Sequence, residues 1–118
     1  MAKCDEGYLC EVCGKAVENL SDSDLYLRYI IGEIPYAVLH RAPERHVRCN
    51  PVDAQFIVDA DFPPVEVAGL FDKRLFDPVE VAKKEELYTR GWKRLQEVAG
   101  SDVPIAEYPL VEFRFSGG

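Results

Sequence analysis

The stretch Cys10-Glu11-Val12-Cys13-Gly14 carries two thiols three residues apart, followed at once by glycine. Two thiolates at that spacing grip one side of a tetrahedral metal ion if the backbone turns sharply between them. A glycine after the second thiol lets the chain leave the turn with positive φ and keeps amides aimed at sulfur. A matching pair stands downstream: His46-Val47-Arg48-Cys49 repeats the spacing and runs directly into Asn50-Pro51-Val52-Asp53. Asn50 is a favoured N-cap, Pro51 suits the first helical position, and Asp53 puts a carboxylate in the first turn. The second pair is therefore expected at the start of a short helix, whose N-terminal end favours a thiolate. Ala54, Ile57 and Val58 give that helix a buried stripe, and Asp61-Phe62-Pro63-Pro64 stops it.

Three thiols and one imidazole fill a four-coordinate shell. The expected ion is Zn2+, held by Cys10, Cys13, His46 and Cys49, and a closed shell with no room for a bound water points to structure over catalysis. Cys4, upstream of the first pair, is a further candidate that would replace His46 and make the site all-cysteine; His40 is another. Other uses of the cysteines fit less well. A disulfide framework belongs to secreted chains, and Met1-Ala2-Lys3-Cys4-Asp5-Glu6 lacks the apolar segment of a secretory signal. A redox-active C-x-x-C expects a strand before it and a helix directly after, where this chain has Gly14 and a polar loop. A cytoplasmic location is expected.

Between the two pairs, Leu25-Tyr26-Leu27-Arg28-Tyr29-Ile30-Ile31 is rich in aromatic and β-branched residues that favour a strand. Gly32-Glu33-Ile34-Pro35 reads as a turn and Tyr36-Ala37-Val38-Leu39-His40 as the returning strand of a hairpin. A knuckle with two ligands, then a hairpin, then two ligands at a helix start resembles the treble-clef type of zinc finger. The resemblance spans roughly residues 8–60. It implies a zinc-bearing hairpin and short helix, with Cys10 and Cys13 on the knuckle and His46 and Cys49 at the helix start. This chain departs from that pattern in having His46 where cysteine is commoner, and in the long gap between the pairs.

Beyond the Pro63-Pro64 pair, Val65 to Phe71 reads as a strand. Asp77-Pro78-Val79-Glu80 repeats the helix-start logic, and Val81, Tyr88, Trp92, Leu95 and Ala99 share one face of the helix that follows. Gly100 closes it. Leu110 to Phe115 alternates, with Val111, Phe113 and Phe115 on one side, as in a half-buried strand. The expected fold is α+β in a single domain over residues 1–118. Residues 8–60 form its zinc-binding half, and 65–115 an α/β extension of a strand, a long amphipathic helix and a C-terminal strand.

The chain carries a formal net charge of −7, and neither half is basic, so a nonspecific phosphate-binding surface is not expected. The local exception is the loop 40–48, where Arg41, Arg45 and Arg48 are candidates for contact with an anion or nucleic acid. No run of apolar residues is long enough to span a membrane. No glycine-rich phosphate loop and no nucleophile elbow is present, and no catalytic residue is assigned. A nuclease of the His-Asn-His kind would use His40 as base and Asn50 as its support. It would need a second, open metal site, and Leu39 and Arg41 flank His40 where a histidine or acidic partner is expected. The function expected is an interaction or regulatory module with a protein partner or a second copy of itself.

Overall fold

The computed structural model describes residues 9–39, 41–67 and 69–114. Its centre is a helix, α1 (Asp24–Ile30), crossed by a long helix, α3 (Pro78–Ala99). A short helix, α2 (Pro51–Ala54), follows the second ligand pair, and a last turn, α4 (Val111–Arg114), closes the described chain. Single 3-10 turns join these elements, and extended pairing among the described residues is limited to isolated bridges.

The α+β expectation is therefore corrected. The segment expected to be a hairpin at 25–40 is, over its described residues 25–39, α1 followed by a 3-10 turn at Tyr36–Val38. A continuous apolar run fits a buried helix as well as a buried strand, and the flanking signals decide between them. Ser23 caps α1 by accepting a hydrogen bond from the Tyr26 amide. At the other end Gly32 takes a φ of +84°, its amide bonds the Tyr29 carbonyl, and the Glu33 amide bonds the Arg28 carbonyl. That is a Schellman stop, which needs a left-handed residue just past the helix. Leu25, Tyr26, Leu27, Tyr29 and Ile30 are all buried, so α1 is apolar on nearly every side.

The other two expected strands are also absent. Residues 65–67 have no regular partner, and Gly69–Phe71 is a 3-10 turn. Residues 111–114 are helical, with Leu110 buried, Phe113 half-buried and Val111 exposed; Phe115 lies outside the described residues. A lone extended segment is unstable in water, and among the described residues neither stretch has a neighbouring strand to share its backbone bonds. The C-terminal segment is tied to the helices instead. The Leu110 amide bonds the Ile30 carbonyl at 3.0 Å, and Arg90 makes a two-point ion pair with Glu112.

Helix α3 matches its expected bounds. Asp77 caps it through the Val79 amide, and Pro78 occupies the first turn. On its inner face Tyr88 and Leu95 are buried, with Val81 and Trp92 half-buried, whereas Ala99 is exposed. Gly91 sets the crossing with α1. A Cβ there would overlap Ile31 and lie 3.2 Å from Leu27 Cδ1, so only glycine lets the two helices approach this closely. Helix α2 is shorter than its stripe implied: Ala54 and Ile57 are buried, but Val58 is exposed and Phe56 takes its place in the core.

Candidate metal centre

Two loops meet to build the site. In the first, residues 9–16 fold back on themselves. Leu9 and Ala16 form an antiparallel bridge, the Cys10 amide bonds the Lys15 carbonyl at 2.8 Å, and the Gly14 amide bonds the Cys10 carbonyl at 2.9 Å. Gly14 has a φ of +78° with open space around it, so backbone conformation alone selects glycine. The turn aims the Val12 and Cys13 amides at Cys10 Sγ, at 3.4 and 3.5 Å. Amides directed at a sulfur stabilise its thiolate form.

The second loop is placed by α1. Ser23 and His46 form an antiparallel bridge, and the Asp24 amide bonds the Arg45 carbonyl at 2.8 Å. Beneath it, buried Glu44 accepts from Ser23 Oγ and from the Arg45 and Leu25 amides. Buried Asp24 is met by Arg28 at 2.9 Å, Arg45 at 3.2 Å and Asn50 Nδ2 at 3.1 Å. The Glu11 amide bonds the Glu44 carbonyl and closes the two loops onto each other.

The result brings one ligand atom from each of Cys10, Cys13, His46 and Cys49 within 4.8 Å of one another. His46 Nδ1 faces the sulfurs, 3.4 Å from Cys13 Sγ and 3.7 Å from Cys49 Sγ, while Nε2 lies 3.0 Å from the Ala16 carbonyl. With its proton on Nε2 the ring donates to that carbonyl and leaves Nδ1 free as a ligand. Cys10 is buried, His46 and Cys49 are half-buried, and Cys13 is exposed at the rim. All three thiols are free of disulfides.

The electrostatics of the cluster are unbalanced. Burial opposes ionisation of Cys10, but the amides of Cys13, His46 and Val12 and the His46 ring overcome it and hold the thiol at about 6. Cys49 is pushed up to about 11, first by burial and then by hydrogen bonding to Cys10 and Cys13 and by their negative charge. The start of α2 was expected to favour the Cys49 thiolate, but a helix of four residues contributes little dipole. Burial acts to lower His46, yet contact with Cys10 and with the Ala16 carbonyl leaves it raised. Crowded thiolates of like charge are what a divalent cation neutralises, so this donor set fits a metal ion.

Of the remaining sequence candidates, Cys4 and His40 lie outside the described residues. Of the basic loop, Arg45 pairs with Asp24 and Glu11, and Arg48 stacks on the Phe62 ring at 4.6 Å while donating to the Pro63 carbonyl. Arg41 is exposed. Asn50 donates to Asp24 and Asp53, and its side chain makes no capping bond to α2. The supporting pair Ser23 and Glu44 was missed by sequence reasoning, which left Ser23 unassigned and gave Glu44 only as part of the basic loop. The polar Ser21-Asp22-Ser23-Asp24 run was the available signal for a helix start.

None of the described helices is long and apolar enough to cross a membrane. Comparison with protein-family models, with curated proteins and with solved structures yields no match.

Proposed function

We propose that this chain is a small cytoplasmic zinc-binding protein whose ion is structural, and that it serves as a protein-interaction module. The observation that supports it most is the convergence of three thiols and one imidazole within 4.8 Å, from two loops 33 residues apart. Thiolate and imidazole donors in a set of four suit zinc, and using all four positions leaves none for a reacting water. The site keeps the two ligand pairs of a zinc finger, on a knuckle and at a helix start, with α1 between them in place of a hairpin. A cytoplasmic location accords with thiols that must stay reduced to bind an ion.

The nucleic-acid alternative draws little support from the arginines, since Arg45 and Arg48 already hold internal partners and the chain is acidic overall. A role in binding protein accords with the large apolar side chains left exposed at 70–79. Elemental analysis of the untagged protein tests the metal directly. One zinc per chain is expected, retained in Cys4→Ser and lost in Cys13→Ser and His46→Ala. Zinc retained in Cys13→Ser and His46→Ala, or none in the wild type, would reject the site.

A further inference from the structure

Residues 58–80 carry six carboxylates against two cations, so much of the net charge of −7 is concentrated there. The same stretch exposes Leu70, Phe71, Leu75, Phe76 and Val79, with Leu70 82% and Leu75 65% accessible. Exposure on this scale in consecutive turns is unusual for a surface without a partner. It does not come from a loose segment. Buried Gln55 donates to the Phe71 carbonyl at 2.8 Å and accepts from the Lys73 amide at 2.9 Å, and Lys73 Nζ returns to the Gln55 carbonyl. The backbone is pinned from below while its apolar side chains face out.

Beside the pinned turn lies a groove of about 440 Å3, floored by Ile57, Phe62, Val65 and Val67 and bounded by residues 72–74. Both cations of the stretch are neutralised within the chain: Arg74 by Asp72 at 2.6 Å and Lys73 by Glu85 at 2.7 Å. Asp59 and Glu80 are met by Lys93 and Lys83 of α3, so the surplus rests on the remaining carboxylates. Asp61 and Glu66 form no ion pair among the described residues. An apolar surface with an acidic surplus repels a second copy of itself and an anionic membrane alike, because like charges would be brought together as the surfaces closed. It attracts a segment that is apolar and basic.

We infer that the groove and the exposed face of 69–79 form a docking site for a basic amphipathic segment of a partner protein, its apolar side in the groove and its lysines or arginines on Asp61 and Glu66. The inference rests on the interaction role proposed above but not on the ion. Helix-in-groove recognition of this kind reads apolar anchors first and charge second.

The test uses the full zinc-loaded chain. Trp92, the single tryptophan, packs edge-on at 5.4 Å against Phe62, which lines the groove, and so reports on the groove through that ring. The probe is a synthetic Leu/Lys amphipathic peptide about five helical turns long, with a Leu/Glu peptide of the same pattern as control. Saturable one-to-one binding of the Leu/Lys peptide alone is expected, weakened by salt. Leu70→Ser with Leu75→Ser, and separately Asp61→Lys with Glu66→Lys, should each weaken it by about tenfold or more. Four results would overturn the inference: no binding, unchanged binding in both double variants, equal binding of the Leu/Glu peptide, or dimerisation of the wild type that Leu70→Ser with Leu75→Ser abolishes. Preference for zwitterionic vesicles over the peptide would overturn it too. Zinc content measured on the same samples separates the two proposals: peptide binding lost with zinc in place rejects the docking site alone, and zinc absent with the peptide bound rejects the metal alone.

Discussion

The crossing of α1 and α3 and the pair of loops that carry the thiols are held together by different physics. At the crossing, Gly91 admits Ile31 and Leu27, Leu95 and Val98 are buried, and the contacts are dispersion and apolar burial over many atoms. In the loops, Glu11 to Ala16 are all exposed, helices are a turn long, and order rests on backbone bonds, on the polar network around Glu44 and Asp24, and on four donor atoms crowded together. The first region is stable because it excludes water. The second buries Val47 and Glu44 but leaves the 11–16 turn in water, and that turn depends on what its donors hold. Perturbations should therefore separate them.

Removing the proposed zinc is expected to have the largest effect. Structural zinc in isolated finger peptides contributes about 10 kcal/mol or more of binding free energy, and chelation should withdraw it. Hydrogen exchange should then show the Val12 and Cys13 amides losing protection while the helical circular dichroism from α3 persists. Loss of both together would mean that the regions are not separable. Acid should act on the same region. Cys49, raised to about 11 in the metal-free protein, keeps its proton at neutral pH and must release it to bind. Affinity for zinc thus rises with pH and falls on acidification, measurable as proton release in a weakly buffered titration. A pH-independent affinity would contradict the thiolate donor set.

The crossing breaks differently. Leu95→Ala, at a fully buried position, should lower stability by about 3 kcal/mol in denaturant titration while zinc stoichiometry stays at one. Gly91→Ala forces a methyl into Ile31 and should cost about 2 kcal/mol by overpacking, again without loss of metal. Asp77→Ala removes the cap on the Val79 amide and should cost about 1 kcal/mol, the smallest of these changes, seen as fraying at the start of α3. If any of the three released zinc before unfolding the helices, the division would fail.

How much the sequence disclosed follows the same line. The clustering of Cys10, Cys13, His46 and Cys49 was legible because pair spacing is a local property, readable without knowing what lies between the pairs. Helix α3 was legible because it is long, capped at Asp77 and striped on one face. Helix α1 was misread as a strand. A helix buried on nearly every side loses its period, and Leu25 to Ile31 then reads the same in either conformation. The strands expected at 65–71 and 110–115 failed for a related reason: alternation names a surface but does not supply a neighbour. Gly91 gave no local signal at all, since its role exists only once Ile31 stands opposite it.

Helix α1 lies between Cys13 and His46, inside the span of chain that an ion would tie shut. An ion there acts as a cross-link closing a loop of 33 residues, and loop-closure reasoning for disulfides of that length gives about 4 kcal/mol taken from the unfolded chain's freedom. None of that depends on a contact between the ion and the core. A mutation that weakens zinc binding would therefore lower the melting temperature of a helix it never touches, and a lengthened loop at 15–20 would change that transfer only slightly, because the entropy of closure grows with the logarithm of loop length.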